Sequence, residues 1–208
     1  ICMNNRKILN GLFEALGLKE QSVEIMRIID KIEKIGKDNV VAMLEEMQIA
    51  KEAIEKIVDF LEIAGTTDEK VQALENMDIQ SELFQKGVEE LKTVVGYVRK
   101  FGVPDTHFKV ELTIARGLDY YTGTVYETFL NEYRSLGSVC SGGRYDNLAE
   151  YYTDKKMPGV GVSIGLTRLF YQLNELQAIK QEQKSIAKVL VIPMTENIEK
   201  ALEIGASL

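Results

Sequence analysis

The sequence predicts an α+β fold. Between Glu20 and about Gly102 the apolar residues recur only at helical spacing, whereas residues 106–176 carry period-two alternation and β-branched, aromatic runs broken by glycine. At 208 residues the chain can hold one large domain or two small ones, with enough interior for a real core.

Ile1-Cys2-Met3 is apolar and strand-like, and the absence of a methionine at position 1 makes an internal piece of a longer protein the expectation. Asn4 or Asn5 caps the helix that follows, where Ile8, Leu9, Leu12, Phe13 and Leu16 form one stripe and Gly17 is the stop. Further stripes follow: Ile25, Ile28, Ile29, Ile32 and Ile35; Val40, Val41 and Leu44; Ile54, Ile57, Val58 and Leu61. The longest runs from Leu83 and Phe84 through Gly87, Val88, Leu91, Val94 and Val95 to Val98. Gly65, a cap region at Thr66-Thr67-Asp68, and Asn76 punctuate them. Lys and Glu alternate on their outer faces, as solvated helices with i,i+4 pairs do.

Pro104 ends the helical region. Phe108, Val110, Leu112 and Ile114 then alternate with Lys109, Glu111 and Thr113 as a half-buried strand, and Thr124 to Leu130 is a second strand, so that the stretch between them, with its Gly-Leu-Asp turn, reads either as a site at a strand end or as an unusually costly hairpin. Asn131 to Ser135 is a polar turn, Gly137 to Ser141 a short strand of small residues, and Tyr145 to Tyr152 the start of a helix. Gly142-Gly143 lets the backbone approach something flat or anionic beside Arg144 and Tyr145. From Pro158 to Phe170 a glycine-spaced strand runs into a helix. Its glycines alternate within the strand, unlike a dinucleotide fingerprint, and leave room for a planar base, with Arg168 one turn into the helix and pointing back. Gln177 to Lys184 is a charged linker. Ala187 to Pro193 reads as a buried strand, and Thr195 caps a last helix in a stretch with too little apolar surface to fold by itself.

Composition closes several routes. A net charge of −7 argues against broad nonspecific nucleic-acid binding and leaves only a local basic face. Cys2 and Cys140 are far apart, and His107 is the single histidine, so neither a disulfide framework nor a histidine-ligated metal centre is implied; His107 reads as a strand-entry residue. No apolar run reaches membrane-spanning length and no secretory leader pattern is present, which makes the cytoplasm the default compartment.

One stretch stands apart: Arg116-Gly-Leu-Asp119-Tyr120-Tyr121-Thr122-Gly123-Thr124-Val125-Tyr126-Glu127. Taken singly, Arg116 is an ordinary ion pair with Glu127 or Asp119, and one of two consecutive tyrosines faces a core. As a string it resembles the first histidine-specific signature of histidyl-tRNA synthetases, and Ser141-Gly142-Gly143-Arg144-Tyr145-Asp146-Asn147-Leu148 resembles the second. The Asn-Arg-Lys-Ile-Leu segment from Asn5 is similar to one that follows the family's second class motif, and the strand and helix through Arg168 resemble its third.

The resemblance implies an antiparallel class II sheet contributed by residues 106–176, interrupted beforehand by an all-helical insertion. It divides the chain into a catalytic segment (1–36), the insertion (37–102, of which roughly 37–80 would face RNA), a second catalytic segment (103–180), and a linker with the start of an anticodon-binding domain (181–208). It further implies that Arg116 contacts the α-phosphate and the substrate carboxylate, and that Tyr120, Tyr121, Gly143, Arg144 and Tyr145 hold histidine. Tyr121 would face the imidazole and Tyr145 close the pocket, with the second signature as a lid. Gly161, Gly165 and Arg168 would lie toward ATP. ATP with Mg2+, L-histidine and tRNA(His) are the expected substrates, without a protein-bound metal or membrane partner, in a homodimeric parent. No counterpart of the first or second class motif is found, so the chain alone is expected to be inactive. Two other readings compete: a noncatalytic relative, either the partner subunit of an ATP phosphoribosyltransferase or the sensor domain of a translation-regulating kinase, and an unrelated helical interaction module.

Overall fold

The first strand, β1 (Cys2–Asn5), turns directly into helix α1 (Arg6–Ala15) because Asn5 caps it, its side chain accepting the Lys7 N–H at 2.9 Å. The computed structural model describes residues 1–115, 117, 120–179, 188–194 and 198–207. They divide into two compact units, residues 1–169 and 170–208.

The predicted stripe of α1 is buried at Ile8, Leu9, Leu12 and Phe13, and Gly17, at φ 72°, stands just beyond its end. Helices α2 (Ser22–Ile29), α3 (Ile32–Ile35), α4 (Lys37–Glu46), α5 (Lys51–Leu61), α6 (Thr67–Asn76) and α7 (Glu82–Lys100) follow; the stripe from Ile25 to Ile35 is divided between α2 and α3, and α6 corresponds to no predicted stripe. Thr66 and Glu69 form a reciprocal capping box at α6, and Ser81 caps α7. One apolar cluster joins Phe13, Ile25, Leu44, Ile57, Phe60, Leu74, Phe84 and Leu91 with Met3, Phe108 and Val110, so the helices and the sheet share a core. Fully burying each such side chain contributes about 1.5–3 kcal/mol. Two glycines set how closely α1 and α7 pack: a Cβ on Gly11 would lie 2.3 Å from the Phe84 nitrogen, and one on Gly87 2.7 Å from the Ile8 nitrogen.

Strands β2 (Lys109–Val110), β3 (Thr124–Thr128), β4 (Cys140–Tyr145) and β5 (Gly159–Ile164) complete a sheet of order β2-β1-β3-β4-β5. Three pairings are antiparallel, but β1 and β2 run parallel, which corrects the purely antiparallel expectation. Parallel neighbours need a crossover, and in this chain the crossover is the entire helical region. Because β1 lies between β2 and β3, those two strands do not pair with each other as a hairpin.

The burial alternation predicted for 108–114 is present, since Phe108, Val110, Leu112 and Ile114 are buried and the residues between them half-buried, yet only two residues form a strand. β1 runs on to Asn5, but the Asn5 N–H that would be next to join the ladder is taken by the Asn4 side-chain oxygen at 2.8 Å. The outer edge of β2 is covered by α6, where Thr67 Oγ1 accepts the Val110 N–H and Lys70 Nζ donates to the Val110 carbonyl.

Two further expectations are revised. The short strand expected over Gly137 to Ser141 is β4, Cys140–Tyr145, with the glycine pair 142–143 inside it and paired on both sides. After Tyr145 there is a short 3-10 turn at Leu148–Tyr151 and no α-helix. The predicted glycine-spaced strand and its helix appear as β5 and α8 (Leu166–Glu175). In the second unit α9 (Ile198–Ser207) is helical, while residues 188–194 form no strand and Val189, Leu190 and Ile192 are exposed. A single strand with no partner among the described residues has no ladder to satisfy its backbone groups. Ala187, Thr195 and most of the predicted linker lie outside the described residues.

Gly11→Ala is expected to force α1 away from α7 and to lower stability by about 2 kcal/mol, read as a reduced midpoint in urea unfolding. An unchanged midpoint would mean that the helix contact is loose.

Candidate active site

The segment that leads to the signature is fixed by the β1–α1 junction. Asn4, fully buried, donates its amide to the Leu112 and Ile114 carbonyls at 3.0 Å each. Arg6, 2% exposed, donates from Nη1 to the Ala115 carbonyl at 2.9 Å, and its backbone N–H reaches the Gly123 carbonyl at 2.9 Å. Arg116, Leu118 and Asp119 lie outside the described residues, and with them the contacts expected of Arg116, including its pairing with Glu127 or Asp119.

The two signatures meet. The Thr122 N–H donates to the Arg144 carbonyl at 2.9 Å, and its hydroxyl to Asp146 at 2.6 Å; Arg144 Nε reaches the other oxygen of that carboxylate at 3.0 Å. The Thr122 hydrogen bond first, then Arg144, holds the Asp146 carboxyl below the usual aspartate range against partial burial. Tyr121 lies against Gly143, where a Cβ would come within 2.9 Å of its ring, and its ring centroid is 4.3 Å from that of Tyr120. Burial, followed by hydrogen bonding with Tyr120, pushes the Tyr121 phenol up, so that it stays protonated at neutral pH.

Strand register assigns faces. Gly143 pairs with Gly161 and Tyr145 with Gly159, which puts all four on one side of the sheet. The Tyr145 ring lies over both β5 glycines, whose added Cβ atoms would meet it at 2.4 and 3.1 Å. The space expected for a planar base above Gly161 is therefore filled by Tyr145, because an aromatic ring beside side-chain-free positions folds across them. Arg144 is on the opposite face, exposed and paired with Asp146. Gly165 donates its N–H to Val139, and Arg168 Nη2 donates to the Leu136 carbonyl at 2.9 Å, so its guanidinium is turned to the loop before β4. The structure thus gathers Tyr121, Gly143, Tyr145 and Gly161 and leaves the Arg144 side chain off their face.

A cleft of about 990 Å3 opens beside this group, with Arg6, Asn10, Tyr120, Tyr121, Thr122 and Asn147 among its walls. Sequence reasoning passed over Asn4, Arg6, Thr122 and Asp146. For Arg6 a signal existed: it stands three and seven residues before Leu9 and Phe13, on the buried stripe of α1, where a charged residue needs a reason.

The sequence profile described as histidyl-tRNA synthetase matches residues 1–169. The chain belongs to the histidyl-tRNA synthetase family. The histidine–tRNA ligase of Clostridium tetani is 52% identical over all of the chain, which covers 47% of that relative. The crystal structure of histidyl-tRNA synthetase from Nostoc sp. PCC 7120 superposes with a TM-score of 0.84 at 43% identity, over 99% of this chain and 49% of that one. A Bacillus halodurans structure described as an ATP phosphoribosyltransferase regulatory subunit/histidyl-tRNA synthetase shares the fold, with a TM-score of 0.64 at 17% identity over 85% of this chain and 50% of that one. The chain therefore spans about half the length of the relatives it matches. Family membership accounts for the helical crossover and both signatures, which an unrelated helical module does not. Among the described residues no helix is long and apolar enough to cross a membrane.

Thr122→Val removes the hydroxyl that holds Asp146 ionised. Since the folded carboxyl is depressed, its contribution is fully present above the ordinary value of 3.8 and is lost as pH falls through the lower folded value. The stability difference between wild type and Thr122→Val is expected to hold constant from neutral pH down to that ordinary value and to shrink below it, measured by urea unfolding across pH. A difference that persists undiminished into acid would assign the loss to packing.

Proposed function

We propose that the chain is part of a histidine–tRNA ligase, which activates L-histidine with ATP to histidyl-adenylate and transfers it to tRNA(His). The observation that carries this reading is the junction of the two signatures, with Tyr121 against Gly143 and Thr122 bonded to Arg144 and Asp146. Retention of both strings, with 52% identity to a ligase, supports catalysis over a regulatory role.

In this reading a histidine carboxylate oxygen attacks the α-phosphorus of ATP, and pyrophosphate leaves with the bonding electron pair. Negative charge gathers on the phosphoryl oxygens, and fixed cationic donors are the main remedy. Arg116 is assigned the α-phosphate and the histidine carboxylate, and Arg168, with Gly161 and Gly165, the ATP side; a guanidinium suits both because its planar fork stays charged. ATP enters with Mg2+ as substrate. Tyr121 is assigned the imidazole: a protonated phenol both donates and accepts, and a competitor without the matching groups leaves it unpaired. Tyr145 closes the pocket, with Tyr120, Gly143 and the Arg144 backbone, whose carbonyl accepts the Thr122 N–H, completing it. The second transfer carries histidine from the adenylate to the 3′ end of the tRNA.

Helices within 37–102 are assigned to the insertion, roughly 37–80 facing RNA, and residues 181–208 to the linker and the start of the anticodon-binding domain. A cytoplasmic homodimer is the proposed state of the parent. Among the described residues β5 pairs with β4 alone, and Val160, Val162 and Ile164 are exposed on it, in keeping with a sheet that the rest of the enzyme completes.

The test is ATP–pyrophosphate exchange by the full-length protein with each amino acid in turn, beside the 208-residue chain. Exchange with histidine alone in the parent, and none in the shorter chain, is expected; exchange with no amino acid would replace the ligase by a regulatory relative. In the parent, Arg116→Ala is expected to abolish exchange without loss of folding, and lost stability with retained exchange would remove its assignment. Tyr121→Phe is expected to raise the KM for histidine about tenfold and that for ATP far less. Equal weakening of both would separate Tyr121 from the imidazole.

A further inference from the structure

We propose that Arg6 is a positioning residue that sets the first signature for histidine binding, a role that rests on the ligase reading above. It grips the segment at both ends, with Nη1 on the Ala115 carbonyl, the residue before the signature, and its backbone N–H on the Gly123 carbonyl within it. Nη1 also donates to Met26 Sδ of α2 at 2.7 Å, so the same group ties the signature to the helical layer. Its side chain forms one wall of the cleft that Tyr120, Tyr121 and Thr122 also line.

The chemistry of the position argues the same way. Helical spacing puts residue 6 on the buried stripe of α1, where an apolar side chain packs without the cost of desolvating a guanidinium. At 2% exposure its guanidinium spends hydrogen bonds on the Ala115 carbonyl and on Met26. β2, before Ala115, and β3, after Gly123, lie on opposite sides of β1 and do not pair with each other. A loop that carries ligand contacts must be fixed to well under an ångström, and Arg6 supplies two of its anchors.

The hydrogen bonds to Met26 and to Ala115 leave from a single nitrogen, so a lysine ammonium can take over both, whereas methionine can make neither. In the full-length enzyme, Arg6→Met is expected to lower kcat/KM for histidine about 100-fold, mostly through KM, with the KM for ATP within about threefold of wild type. Arg6→Lys is expected to recover activity to within about tenfold. A merely structural role would reduce the amount of active enzyme and leave KM for histidine unchanged, and that result in folded Arg6→Met would overturn the proposal. If Arg6→Met does not fold, Arg6→Gln carries the same test with the same two outcomes.

Hydrogen–deuterium exchange separates this from the ligase reading. If wild type activates no amino acid, the proposed function falls, and the positioning is then judged by the amides between Ala115 and Gly123. Faster exchange there in Arg6→Met, with α7 unchanged, is the expected result; unchanged exchange throughout would overturn it.

Discussion

The structure depends on one constraint, that a strand becomes a helix between Asn5 and Arg6 with no loop between them. Four consecutive side chains at this junction reach residues at least 20 positions away. Asn4 holds the Leu112 and Ile114 carbonyls, Asn5 and Lys7 bind the Glu90 carboxylate of α7, and Arg6 holds Met26 and Ala115. Burial disfavours the charged form of Glu90, and the hydrogen bonds from Lys7 and Asn5 outweigh it, keeping that carboxyl below its usual range. Buried polar groups of this kind do little for net stability but leave few alternative packings, because each misplacement strands a donor or acceptor.

From that junction the rest follows. β2 loses its ladder after two residues because the Asn5 N–H bonds the Asn4 side-chain oxygen, and the Asn4 amide takes up the Leu112 and Ile114 carbonyls instead. β2 and β3 lie on opposite sides of β1, and the first signature runs into β3. Its far end is fastened to the second signature through Thr122, Arg144 and Asp146. The pocket residues are thus held at one end by the helical layer and at the other by the centre of the sheet. This is the rigid support that side chains placed for ligand contact require.

The sheet divides the labour between its faces. Met3, Val110 and Tyr126 turn to the helices, while Cys2, Val125 and Tyr121 gather in a smaller cluster on the other side, next to the glycines of β4 and β5. Glycine at 143 and 161 lets Tyr121 and Tyr145 lie almost flat on the strands, so the floor of the site is backbone and its walls are phenols.

By itself the sequence determined the α+β class, the helical stripes, the cap regions at Asn4-Asn5 and Thr66–Asp68, and both signatures, because helical period, capping chemistry and glycine spacing are local properties; the structure chose Asn5 and Thr66 as the caps. The alternation at 108–114 likewise told correctly which side chains are buried. Only the tertiary structure decided that β2 lies parallel to β1, that β1 separates β2 from β3, and that Gly142-Gly143 is central strand. β1 meets both of its neighbours across more than 100 residues of sequence, which no local pattern encodes. The same holds for Arg6 and Asp146: a residue type says what bonds it can make, and only the fold says which carbonyl or hydroxyl stands within reach.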